Sequence, residues 1–132
     1  MTYRVVLCHG VFDLLHAGHI HHLKLARNLG DRLVVSVVAD KYLKHKSPVY
    51  PDYQRLAMLR ELRCVSHVWL CNAPGPEKII RALLPDLYVR GPDYRGKPMP
   101  ERALLTKLGI RIRYTSEGPM RTSNAIEAIR CR

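Results

Sequence analysis

Apolar positions along this chain fall into short β-branched runs that alternate with stretches of helical spacing. Residues 3–8 (Tyr-Arg-Val-Val-Leu-Cys) read as a buried strand that ends at His9 and Gly10. From 18 to 29, Ile20, Leu23, Leu25, Ala26 and Leu29 recur at helical spacing, and Gly30 is expected to stop that helix with a positive φ. Residues 32–39 (Arg-Leu-Val-Val-Ser-Val-Val-Ala) form a second run, apolar on both faces as in a covered parallel sheet. A polar, basic loop follows over 40–51. A helix is predicted over 52–63, with Leu56, Leu59 and Leu62 on one side and arginines on another. Shorter elements follow: strands over 67–70, 87–90 and 110–114, and helices over 76–84, 100–108 and 122–129. Strict alternation of strand and helix argues for one doubly wound, Rossmann-like α/β domain over residues 1–132. Its five-stranded parallel sheet would carry helices on both faces. Ligands of such sheets bind outside the carboxyl ends of the strands.

Composition changes this picture little. The chain has 132 residues, of which 47% are hydrophobic and 25% charged, an ordinary globular balance that excludes disorder as the main reading. No apolar run approaches the ~20 residues that cross a bilayer, and no secretory pattern opens the chain, so the expected location is the cytoplasm. The four cysteines lack metal-site spacing and are expected to be reduced thiols.

Charge changes it more. The formal net charge is +11, distributed as +4 over residues 1–46, +1 over 47–89 and +6 over 90–132. If the two ends meet, they form a positive site suited to a nucleotide, a phosphorylated metabolite or nucleic acid. A solvated basic surface would carry the same charge.

The informative stretch is Gly10-Val11-Phe12-Asp13-Leu14-Leu15-His16-Ala17-Gly18-His19, between the first strand and the first helix. Two histidines three apart can point the same way as the chain tightens into a helix. Gly18 would let a ligand approach the backbone, and the helix start offers free N–H groups. Together these make an anion site with two imidazole donors. Two histidines without a third ligand make a poor metal site, so no protein-held metal is expected. His21 and His22 read as helix-surface residues, and Asp13 as either a ligand or a brace for the loop.

This stretch resembles the G-x-F-D-x-x-H-x-G-H signature of the HxGH nucleotidyltransferase superfamily. That cytidylyltransferase-like group includes glycerol-3-phosphate cytidylyltransferase and a heptose-1-phosphate adenylyltransferase domain. Residues 80–94 (Ile-Arg-Ala-Leu-Leu-Pro-Asp-Leu-Tyr-Val-Arg-Gly-Pro-Asp-Tyr) look like the adenylyltransferase branch, and residues 120–126 resemble a late phosphate-binding segment. The resemblance implies attack by a substrate phosphate on the α-phosphorus of ATP, or alternatively CTP, with pyrophosphate leaving. The acceptor would be a phosphorylated sugar or polyol, glycerol 3-phosphate being the alternative with CTP.

The resemblance also implies roles. His16, His19, Lys46 (or Lys44) and Arg121 would carry the catalytic donors. Gly10, Val11, Phe12, Gly18, Arg63, Asp93, Tyr94, Thr122 and Ser123 would bind nucleotide, with Tyr94 stacking on a base and Asp93 orienting ribose or metal. Mg²⁺ would bridge triphosphate oxygens rather than occupy a protein cage. Nearby phosphate would favour charged imidazoles. Pro92 and Asn124-Ala125 depart from the relatives' pattern, which bears on base and acceptor choice. A homodimer is expected by analogy, and any kinase step is expected on another protein. Two other readings are a basic nucleic-acid-binding module, which lacks an aromatic platform, and a tRNA synthetase fragment, for which the chain is short.

Overall fold

The computed structural model describes residues 3–43 and 47–116. Five strands run in parallel in the order β3-β2-β1-β4-β5: β1 (Tyr3–Gly10), β2 (Gly30–Val38), β3 (His67–Cys71), β4 (Leu87–Arg90) and β5 (Arg111–Tyr114). Four helices connect them: α1 (Ala17–Asn28), α2 (Asp52–Arg60), α3 (Glu77–Leu83) and α4 (Arg102–Lys107). The first two connections step outward from β1. The third returns across β1 to place β4 on its other side, so the winding reverses between β1 and β4. That is the doubly wound arrangement the alternating pattern predicts.

The sheet buries both faces. Val6 and Cys8 of β1, with Leu33, Val35 and Val37 of β2, pack under Leu23 and Ala26 of α1 and Leu56 and Leu59 of α2. On the other face Leu7, Val34 and Tyr88 meet Ile79 and Ile80 of α3 and Leu104 and Leu105 of α4. The strand period of two sends alternate residues of β1 into these two cores. Each fully buried leucine contributes about 2–3 kcal/mol. Cys8 sits in the first core, where burial pushes its thiol up to about 12. Cys8, Cys64 and Cys71 are free thiols. No described helix is long and apolar enough to cross a membrane.

Two expectations change. Gly30 opens β2 instead of closing α1 with a positive φ; the helix ends at Leu29 in ordinary helical geometry. A side chain at Gly30 would put its Cβ 2.6 Å from Val6 Cγ2 and 2.8 Å from the Tyr3 carbonyl oxygen. Close strand approach is therefore the reason for that glycine. The second helix is shorter than predicted and stops at Arg60, so Arg63 lies beyond it. β3 is an edge strand on which Trp69 remains 46% exposed. Lys44, Lys46, Arg121, Thr122, Ser123, Cys131 and the last predicted helix lie outside the described residues.

Candidate active site

The loop between β1 and α1 is built by backbone strain and by one buried arginine. Phe12 and Leu14 hold left-handed φ angles of 54° and 51°, which non-glycine residues adopt only where their surroundings impose it. The Phe12 ring is buried and folds back over Gly10, where a Cβ would meet it at 3.0 Å. Arg55 of α2, fully buried, reaches into the loop from below. Its Nη1 donates to the Val11 carbonyl (2.7 Å), its Nε to the Tyr50 carbonyl (3.1 Å) and its Nη2 to Asp40 Oδ1 (2.6 Å). Asp40 and Asp52 exchange backbone N–H to carboxylate bonds at 3.1 Å each. Asp13 braces the neighbouring loop: its carboxylate accepts from the N–H groups of Val49 (2.7 Å) and Tyr50 (3.0 Å), which hold its carboxyl below the usual range.

The two histidines form the first turn of α1. His16 is its N-cap. His16 Nδ1 accepts from the Gly18 N–H at 3.0 Å, and the His16 N–H donates to His19 Nδ1 at 3.2 Å. This is a capping box in which both acceptors are imidazoles. The rings stand 4.0 Å apart, tilted by 39°, and Phe12 flanks His19 at 5.9 Å. A backbone N–H can only donate, so each Nδ1 is an acceptor and each neutral ring carries its proton on Nε2. Two Nε2–H donors are thereby presented side by side at the positive end of a helix, beyond the carboxyl end of β1.

Burial, and then the neighbouring His16, hold His19 below the ordinary histidine value in the unliganded chain. A Cβ on Gly18 would lie 2.8 Å from His16 Cε1. The glycine therefore makes room for the capping imidazole itself.

Other predicted residues divide. Val11 is exposed and lends its carbonyl to Arg55. Asp93 and Tyr94 sit in a short 3₁₀ turn (Pro92–Tyr94) after β4, at the same sheet edge as the histidines. One face of Tyr94 is taken: the Arg90 guanidinium lies 3.7 Å from its ring centre. Arg63 is exposed near Ser66, whose N–H donates to the Leu33 carbonyl at the amino-terminal half of β2. That is the far end of the sheet from His16, so Arg63 does not join this site. Among the described residues, no three His, Cys, Asp or Glu side chains gather as a metal-holding group.

Four further residues emerge that the residue pattern does not single out. Arg55 and Arg90 are buried cations. His9 shares a hydrogen bond with Ser36 Oγ (3.1 Å), and burial, then Arg90, lower it to about 3. His22, expected on the helix surface, is part-buried instead. Its Nδ1 meets Thr115 Oγ1 at 2.7 Å, and burial, with His19 next, lowers it to about 4. Arg55 is not on another side from the leucines as expected: it is buried with Leu56 and Leu59, and the signal is its place four residues before Leu59.

A family model described as cytidylyltransferase-like matches residues 7–122. The chain is 43% identical over 109 residues to the bifunctional protein HldE of Streptomyces coelicolor, a match covering 80% of this chain and 24% of that protein. It is 37% identical over 132 residues to HldE of Yersinia enterocolitica, covering 96% and 28%. The chain thus spans about a quarter of the length of the curated relatives it matches. The crystal structure of a lipopolysaccharide core biosynthesis protein from Thermoplasma volcanium is similar with a TM-score of 0.76 and 33% identity, covering 88% of this chain and 98% of that one. Pantothenate synthetase from Thermus thermophilus shares the fold, with a TM-score of 0.60 and 18% identity over 92% and 58% of the two chains.

Proposed function

The chain belongs to the cytidylyltransferase-like family, and from that membership we propose that it is a nucleotidyltransferase that joins a nucleoside monophosphate to a phosphorylated sugar. The observation that carries this reading is the pair of Nε2–H donors set 4.0 Å apart, ring to ring, on the first turn of α1. A phosphate oxygen of the acceptor attacks the α-phosphorus of a nucleoside triphosphate. The bond from that phosphorus to the bridging oxygen breaks, and pyrophosphate leaves with the electron pair. A phosphomonoester is already anionic near neutral pH, so the protein needs neither a nucleophile nor a strong base. It must hold two polyanions in line and meet the charge that moves onto the leaving oxygens. His16 and His19 do this as Nε2–H donors whose direction the helix has already fixed. Asp13 and Arg55 hold the loops on either side of them.

Mg²⁺ would arrive with the triphosphate and reduce its charge, and no described residue need hold it. Lys46 or Lys44, Arg121, Thr122 and Ser123, outside the described residues, remain proposed phosphate contacts, and Asp93 a proposed ribose contact. ATP is favoured by the likeness of residues 80–94 to the adenylyltransferase branch. A sugar phosphate acceptor is favoured by the lipopolysaccharide-core relative. A homodimer in the cytoplasm completes the proposal.

The test is pyrophosphate release by the purified protein, with ATP and CTP each offered against aldose 1-phosphates and glycerol 3-phosphate. Turnover with ATP and an aldose phosphate, at least 10-fold above CTP, is expected. Preference for CTP with glycerol 3-phosphate would move the protein to the other branch of the family. Absence of turnover with every pair would overturn the reading.

A further inference from the structure

The imidazole pair rides on α1, so its aim depends on what fixes that helix. Leu23 and Ala26 seat α1 on Val6 and Cys8 of β1 and on Leu33 and Val35 of β2. Apolar burial is non-directional, and it sets the rotation of a helix less sharply than a hydrogen bond does. The local hydrogen bonds of α1 add no such fix. His16 and His19 cap their own helix, and Arg27 donates to the Gly30 carbonyl just past its end.

One bond leaves the helix for the other half of the sheet. His22, three residues on from His19, shares a hydrogen bond between its Nδ1 and Thr115 Oγ1 at 2.7 Å. Among the described residues, no other hydrogen bond joins α1 to β4, β5 or the segments that follow them. Thr115 comes directly after β5, is 6% exposed, and its N–H donates to the Arg90 carbonyl at the end of β4 (3.1 Å). Arg90 is anchored in turn. Its Nη1 donates to the His9 carbonyl (3.0 Å) and to the Tyr88 hydroxyl (3.2 Å), and that hydroxyl donates to Glu101 Oε2 (2.6 Å). With Ser36, which bonds the His9 ring, these groups form a polar layer on the sheet face under α3 and α4. His22 therefore ties the helix of the imidazole pair to a braced strand end.

Stability gives little reason for this bond. Two apolar side chains in the places of His22 and Thr115 would serve the fold nearly as well. Direction gives a better one. A turn of α1 about its axis by roughly 10° moves side-chain tips, about 6 Å from that axis, by about 1 Å. An error of that size in a group that must meet a transition state costs rate. The end of β4 also leads straight into Pro92–Tyr94, the turn that holds Asp93. Fixing α1 against that strand end fixes the imidazoles relative to the turn.

We infer that His22 is a positioning residue for the transfer reaction: through the Thr115 hydroxyl it fixes the rotation of α1 against the carboxyl ends of β4 and β5, and with it the aim of the His16 and His19 Nε2–H groups. This rests on the nucleotidyltransferase reading. The test uses the full chain and measures pyrophosphate release beside thermal melts. ATP is paired with glucose 1-phosphate, mannose 1-phosphate or glycerol 3-phosphate, whichever the wild type turns over best. Thr115→Val is expected to lower kcat about 10-fold while the ATP KM stays within about 3-fold. Its melting temperature is expected to fall as well, because His22 Nδ1 loses its partner. Thr115→Ser keeps the hydroxyl, and its kcat is expected to stay within about 2-fold of wild type. The double variant His22→Leu with Thr115→Val removes both polar ends. Its melting temperature is expected to return toward wild type while kcat stays about 10-fold down. A bond that only stabilised the fold would let kcat recover together with the melting temperature. That recovery, or a Thr115→Val kcat within about 2-fold of wild type, would overturn the inference and leave the nucleotidyltransferase reading standing. A wild type that turns over no pair would overturn that reading, and this inference with it.

Discussion

Substituting His16 by alanine would take away a helix cap and the proposed phosphate donor in one step, so alanine alone cannot say which was lost. Asparagine separates them, because its side-chain oxygen can cap the Gly18 N–H while nothing replaces Nε2–H. His16→Asn is expected to melt within about 3 °C of wild type, whereas His16→Ala loses about 1 kcal/mol of cap energy. Both are expected to lose at least ~100-fold in turnover, the usual scale for one transition-state donor. Thermal melts with pyrophosphate assays on the two variants check this; near-normal turnover in His16→Asn would show that the ring matters only as a cap. The spacing of the two histidines is enough to make the pair legible in the sequence. What it hides is the direction of the hydrogen bonds. Residue order cannot tell that both Nδ1 atoms turn inward to the backbone, or that Gly18 clears space for an imidazole of its own helix.

Among the elements, α2 holds the outcome that sequence patterning comes closest to and still misses. The strands are legible as β-branched runs, and β4 has the bounds its pattern predicts, because Pro85 and Gly91 flank it. The end of α2 is not legible: Glu61, Leu62 and Arg63 carry nothing that forbids a helix, yet the helix stops at Arg60 and Leu62, Cys64 and Val65 pack against the first core. The resemblance points to Arg63 for phosphate, while the buried cation, on α2 itself, is Arg55. Arg55→Met would leave the Val11 and Tyr50 carbonyls and Asp40 without their donor. Asp40 is partly open to solvent, so a cost near the low end for broken buried pairs is expected, about 3 kcal/mol. That corresponds to a melting temperature lowered by roughly 10 °C. Arg55→Lys is expected to recover only part, since an ammonium cannot serve three acceptors in a guanidinium plane. Differential scanning calorimetry of both variants decides it, and a loss under about 1 kcal/mol in Arg55→Met would contradict the bracing role.

For the molecule as a whole, the buried imidazoles set a pH dependence. His9 and His22 are held at about 3 and about 4, below the 6.5 of an unfolded histidine. The unfolded chain therefore takes up protons first as pH falls, so stability is full above about pH 7 and declines from 6.5 toward 4 and below. The two together predict a loss on the order of 5 kcal/mol across that window. Urea unfolding at pH 7.5, 6, 5 and 4 measures it, and His22→Gln is expected to flatten the curve; a wild-type profile level down to pH 4 would contradict the burial of these rings. The doubly wound arrangement itself is readable from alternation, whereas the polar layer under α3 and α4 is not, because His9, Ser36, Tyr88, Arg90 and Glu101 come from four separate segments that only the sheet brings together. The edge position of Trp69 has an optical consequence. As the chain's single indole, half exposed on the outermost strand, it gives intrinsic emission that is red-shifted and that reports mainly on whatever covers the β3 edge. Quenching by iodide, compared across protein concentrations, would then register self-association without any label, while nucleotide arriving at α1, two strands inward, would leave the spectrum largely in place.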